Sequence, residues 1–199
     1  MATLLRDATH TANLLNAAAA SPPTVPKLDS HAVHDAFIML GYRVQALSPL
    51  LSGNRTVLMD GGVEQAVDVD TECERMVCIG LTAFVASFFW GGGCGNVNRG
   101  PLGWVMQAVR GLRNWERGER WEGEVFLWML FVGIAAEVFE DDSVGWMSLK
   151  MREVLGRLGL EDWGSVVCVL KGFPWVEALH GRRGYAHFER CMGVLSSAS

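Results

Sequence analysis

Long apolar runs are absent from this sequence. The uncharged stretches at residues 76–90 and 125–136 stop short of the roughly 18–20 residues a membrane-spanning helix needs, so both read as buried core helices. Residues 1–20 carry no charged region followed by a continuous apolar one, and no secretory signal is read there. Cysteine is scarce and unpatterned: Cys73, Cys78, Cys94, Cys168 and Cys191 form an odd set without a CxxC spacing. That spacing argues against a zinc knuckle or a disulfide framework and for a reduced, intracellular chain. Asn54-Arg55-Thr56 matches a glycosylation acceptor, but without a signal the match carries no weight. Basic excess is lacking too, with 17 Lys plus Arg against 22 Asp plus Glu and a net charge of −5. Wrapping nucleic acid by charge alone is thereby disfavoured, leaving room only for a local basic patch. Nowhere do apolar and polar residues alternate with the period of a strand.

What is present is apolar and helical. Half of the 199 residues are hydrophobic and eight are Trp, a load that needs a large core or a large partner surface. Residues 1–28 read as a flexible N-terminal segment, a frayed Ala-rich helix followed by the Pro-rich linker around Pro22, Pro23 and Pro26. Residues 29–199 read as one all-α, multi-helix domain. Val33, Phe37, Leu40, Val44 and Leu47 recur at helical steps, and a Gly- and Asp-rich loop is expected over residues 50–70. Thr71 and Glu74 suggest a capping box for a helix carrying Val77, Leu81, Phe84, Val85, Phe88 and Phe89. Pro101 is placed to open another helix, with Val105, Val109 and Leu112 on its apolar side. Residues 121–140 are apolar nearly all round, the mark of a central helix. Met147, Met151, Val154, Leu155 and Leu158 form a further stripe that Gly159 should stop. Asp162 should cap a short helix ending at Gly172, and Gly181 and Gly184 suggest a break before a last helix with Tyr185, Phe188, Met192 and Leu195.

Catalytic patterns are weak. The loop at Gly91, Gly92, Gly93 and Gly95 lacks the Gly-Lys-Ser/Thr ending of a P-loop and follows a helix, where such motifs need a strand. His31 and His34 share a helix face, but Cys73 and Cys78 do not complete a zinc site. Cys94, Cys168 and Cys191 have no adjacent His or Lys to activate a thiolate. Ser143, Ser148 and Ser165 lie in no nucleophile-elbow pattern. His180 and His187, near Glu177 and Glu189, offer an acid–base pairing, although ordinary helix-end histidines are the simpler reading. No enzyme, cofactor or metal site is expected. Arg110, Arg113, Arg117 and Arg120 would line one face of a continuous helix, interleaved with Trp115 and Trp121, and are the candidates for docking an acidic partner.

One stretch resembles a known family. Residues 124–136, Glu-Val-Phe-Leu-Trp-Met-Leu-Phe-Val-Gly-Ile-Ala-Ala, are similar to the LxWxLFVGGIAA helix of fungus-specific transcription factor regulatory domains. Trp146, the Leu155-Gly156-Arg157-Leu158-Gly159-Leu160 string, Trp163 and Phe173-Pro174-Trp175-Val176-Glu177 follow in the family's order, so the likeness covers residues 121–193. The resemblance implies an all-α regulator of RNA polymerase II transcription in the nucleus (failing that, in the cytoplasm). It would act through protein partners of the transcription machinery or a small apolar effector, and a homodimer is compatible with it. It implies packing roles for Trp128, Phe131, Gly133, Trp163 and Trp175. The six-cysteine zinc cluster usual in such regulators has no counterpart in residues 1–28, which contain no cysteine; direct DNA binding is therefore not expected. Either the chain is a stand-alone regulatory module or an upstream segment belongs to it. The rival readings are a small helical enzyme using His180 or His187 and a peripheral membrane protein using residues 76–90.

Overall fold

The computed structural model describes residues 1–22, 28–47, 69–90, 109–110, 112, 118–136 and 144–196. Among them the chain forms α1 (Ala2–Ala20), α2 (Ser30–Gln45), α3 (Val69–Trp90), α4 (Arg120–Ala135), α5 (Val144–Leu158), α6 (Trp163–Leu170), a π-helical turn (Glu177–Gly181) and α7 (Arg182–Ser196). The described residues contain no strand, and the helices pack on one another as a single all-α domain.

The centre is the pair α3 and α4, whose mutual contact is the most extensive among the described elements. Both are apolar on nearly every side, so they can be covered only by other helices. Residues 125–132 of α4 are buried without interruption, and Met76, Ile79, Leu81 and Phe84 of α3 are fully buried. Gly80 sets the approach: a Cβ there would press on Cζ3 of Trp128 and lie 2.6 Å from its Cη2. The Trp128 ring fills that space, and its Nε1 donates to the carbonyl of Pro174 at 2.9 Å. Gly133, read as a close-approach position, is buried.

Around this pair the local signals act largely as the sequence suggests. Asp29 caps α2 by accepting from the His31 N–H at 2.9 Å, and Phe37, Leu40 and Val44 are buried. Met147, Met151, Val154, Leu155 and Leu158 of α5 are all buried. Gly159 follows with φ +68, the left-handed conformation glycine adopts without a Cβ clash. Asp162 caps α6, accepting from the Ser165 N–H at 3.0 Å.

Four expectations need correction. The N-terminal stretch is not separate from the domain: α1 is a continuous helix whose Leu4, Ala8 and Ala12 are buried in the common core. Their four-residue spacing puts them on one face. Asp7 also bridges to Arg43 of α2 at 2.9 Å; residues 23–27 of the expected linker lie outside the described residues. Thr71 is not a cap, since α3 is already helical from Val69. Gly181 and Gly184 do not break the chain, because the π-helical turn runs straight into α7. A Cβ on Gly184 would lie 3.0 Å from both Trp163 and Trp175, so this glycine serves close packing, not a turn. Finally, Trp121 is 45% exposed on the first turn of α4, and Phe89 is exposed near the end of α3. The expected loops at residues 50–70 and 91–95 lie largely or wholly outside the described residues, as does most of the helix expected after Pro101.

Candidate functional site

The π-helical turn is where the polar chemistry of the interior collects. His180 lies within it, fully buried among Phe84, Phe88 and Trp175, with ring centroids 5.8, 6.4 and 5.0 Å away. The Val176 N–H donates to its Nδ1 at 3.0 Å, so the proton of the neutral ring sits on Nε2. Nε2 in turn donates to Ser87 Oγ at 2.9 Å, and the Ser87 hydroxyl donates to the Phe84 carbonyl at 2.6 Å. Burial drives the His180 pKa down to about 3, since nothing nearby compensates a desolvated imidazolium.

This order of donors has a chemical consequence. A general base at Nε2 would have to accept the serine proton; here Nε2 donates and the hydroxyl points at a carbonyl. The Ser87–His180 pair as arranged ties α3 to the turn. The carboxylates expected near the histidines are engaged elsewhere: Glu177 Oε2 accepts from Trp175 Nε1 at 2.9 Å and Glu189 accepts from the Tyr185 hydroxyl at 2.6 Å. His187 is also buried rather than a solvated helix-end residue. Its Nδ1 faces Arg190 at 3.4 Å, and its buried Nε2 has no hydrogen-bond partner among the described residues. Burial first, and Arg190 second, lower its pKa to about 4.

The same turn is held from outside by α1. Asn16 Nδ2 donates to the Trp175 carbonyl at 2.7 Å and its Oδ1 accepts from the Glu177 N–H at 2.9 Å. Beside this clamp opens a cleft of about 570 Å³ between the end of α1, the end of α6 and the turn. Asn13, Ala19 and Ala20 line it from α1, with Lys171, Glu177 and Ala178 opposite. It is an open surface cleft, with every lining residue except Asn16 exposed.

The arginine row does not form as expected. Leu112, Gly118 and Glu119 are not helical, so Arg110 and Arg120 do not belong to one continuous helix. Arg113 and Arg117 lie outside the described residues. Arg120 opens α4 and pairs with Glu124 at 2.9 Å. His31 and His34 are exposed on the first turns of α2, and His34 meets Phe89 edge-on at 6.3 Å. Among the described residues no group of three His, Cys, Asp or Glu side chains could hold a metal ion, and no helix is long and apolar enough to cross a membrane.

Ser87, Asn16 and Lys171 escape a motif-based reading. Their only trace in the sequence is a polar residue placed where its neighbours are apolar or Ala. Comparison with protein-family models, with curated proteins and with solved structures returns no match to this chain.

Proposed function

We propose that this chain is a transcription-regulator-like helical domain that acts by binding protein partners or a small effector, without DNA-binding chemistry of its own. One observation carries the reading. The residues on which the family resemblance rests, far apart in sequence, share one aromatic core: Phe131 meets Trp163 at 5.6 Å and Trp175 at 6.4 Å, and Trp128 stacks on Phe173 at 5.4 Å. Their succession along the chain is thus matched by common packing, which supports a role for these residues in the fold rather than in chemistry. On this proposal an effector sits in the cleft beside the Asn16 clamp. A nuclear site of action, control of RNA polymerase II transcription and a tethered or stand-alone mode of action belong to the same proposal.

The test is to fuse the full chain to a heterologous DNA-binding domain and measure a reporter in fungal cells. A change of several-fold against the DNA-binding domain alone is the expected result. Reporter output equal to that control, with the fusion present in the nucleus, overturns the regulatory reading.

A further inference from the structure

Between α5 and α7 lies a second group of buried heteroatoms. The two helices run parallel. The start of α4 packs on the end of α5, where a Cβ on Gly123 would lie 3.3 Å from Leu158, and its end meets the start of α7, where Arg183 donates to the Ala135 carbonyl at 2.9 Å. Midway along both helices the Cys191 thiol donates to Met151 Sδ at 3.8 Å, and both residues are fully buried. One turn earlier on each helix, at the spacing that repeats a face, stand Met147 and His187, buried as well. His187 is the independent sign of a ligand. It is only 2% exposed, and its buried Nε2 has no hydrogen-bond partner among the described residues. Nδ1, on the other side of the ring, faces the exposed Arg190, so Nε2 points inward along the face shared with Cys191. A bare interior nitrogen is costly. His187 and Cys191 alone are too few to hold a metal; the two thioethers complete a set of four donors.

We propose that Cys191, Met151, His187 and Met147 bind one copper(I) ion between α5 and α7. The sulfur spacing fits a shared ion: two sulfurs each about 2.3 Å from a metal and 3.8 Å from one another subtend about 110°, close to a tetrahedral angle. Thiolate and thioether are soft ligands and select copper(I) over harder cations. Charge selects in the same direction. One thiolate neutralises Cu⁺, and the imidazole and thioethers add nothing, whereas a divalent ion would bury a net positive charge. In the free protein burial pushes the Cys191 thiol up, while a hydrogen bond with Ser148 and the charges of Arg152 and Arg190 pull the other way. Binding therefore releases the thiol proton to solvent, with no change in the oxidation state of the ion. The His187 ring proton moves to Nδ1 as Nε2 takes the metal, and the exposed Arg190 turns outward. The inference stands apart from the regulatory reading above.

Anaerobic titration of the full chain with copper(I) against the chromogenic chelator bicinchoninate tests it, with thiolate-to-copper charge-transfer absorption as a second readout. One copper(I) per chain should be held, and held equally by C168S, whose cysteine is exposed. C191A should weaken that copper at least about a hundredfold, and M151L and H187L about tenfold each. Leucine keeps the volume of methionine, so loss of copper in M151L, with the melting temperature of the copper-free protein unchanged, isolates the sulfur from packing. Copper(I) should raise the melting temperature of the parent and zinc(II) should not. Copper held by C191A or M151L as tightly as by the parent overturns the inference, because the ion then sits on other thiols. No copper retained against the chelator overturns it too, and so does equal stabilisation by zinc(II).

Discussion

Gly80 and Gly156 both stand within helices, yet a methyl group added to each meets opposite surroundings. At Gly80 it would collide with the buried ring of Trp128, which is pinned by its bond to Pro174; at Gly156 no described residue lies within 4 Å. G80A should therefore destabilise by about 1–3 kcal/mol through overpacking, whereas G156A should stabilise by about 0.5–1 kcal/mol by removing backbone freedom from the unfolded chain. Urea midpoints of the two variants against the parent check both signs. The buried histidines give a second residue-level expectation. In the native state His180 and His187 stay neutral down to about 3 and about 4, while unfolded rings take up a proton below about 6.5. The unfolded state then binds more protons, so stability is full above about pH 6.5 and falls as the pH drops towards 4 and then 3. Each ring contributes a slope of about 1.4 kcal/mol per pH unit in that window. Unfolding free energies at pH 7 and 5 should show the loss, and H187L should remove roughly half of the slope assigned to the two rings. An unchanged slope would exclude His187 as a source.

At the scale of elements, the π-helical turn is the joint of the structure. Asn16 from α1 places two polar bonds on the span from Pro174 to His180, and Ser87 from α3 and Trp128 from α4 place one each. N16A removes both bonds that α1 makes to this span while leaving Leu4, Ala8 and Ala12 to pack. Limited proteolysis should accordingly cut within α1 several-fold faster in N16A, with the segment from α4 to α7 surviving intact. Cleavage at the parent rate would show that the alanine face alone holds α1. The elements also show where a sequence speaks clearly. α5 and α6 were readable because each pairs an apolar stripe with a stop or a cap, Gly159 and Asp162, that acts within one turn of the residues it controls, whereas α2 was readable from its stripe alone. The docking of α1 was not, since its buried face is mostly alanine, which carries no periodic contrast against an Ala-rich helix. The continuity through Gly181 and Gly184 was hidden for a related reason. A glycine that admits Trp163 and Trp175 looks in sequence the same as one that turns the chain.

For the whole molecule, five of the eight tryptophans in this acidic chain have described side chains, and these resolve into two populations. Trp128 and Trp175 are fully buried and Trp163 and Trp146 pack on the core, whereas Trp121 faces outward. The all-α class was legible because amphipathic period is a property of each segment by itself. The cleft was not, because Asn16 and Lys171 meet only after every intervening element has folded. The clamp has one more consequence, which concerns time. Asn16 is separated from Trp175 by 159 positions and from Glu177 by 161. At ribosomal speeds of about 5–20 residues per second, roughly 10–30 seconds pass between their appearances. During that interval α1 lacks these two partners on the π-helical turn, and the Asn16 clamp can close only after the turn is made.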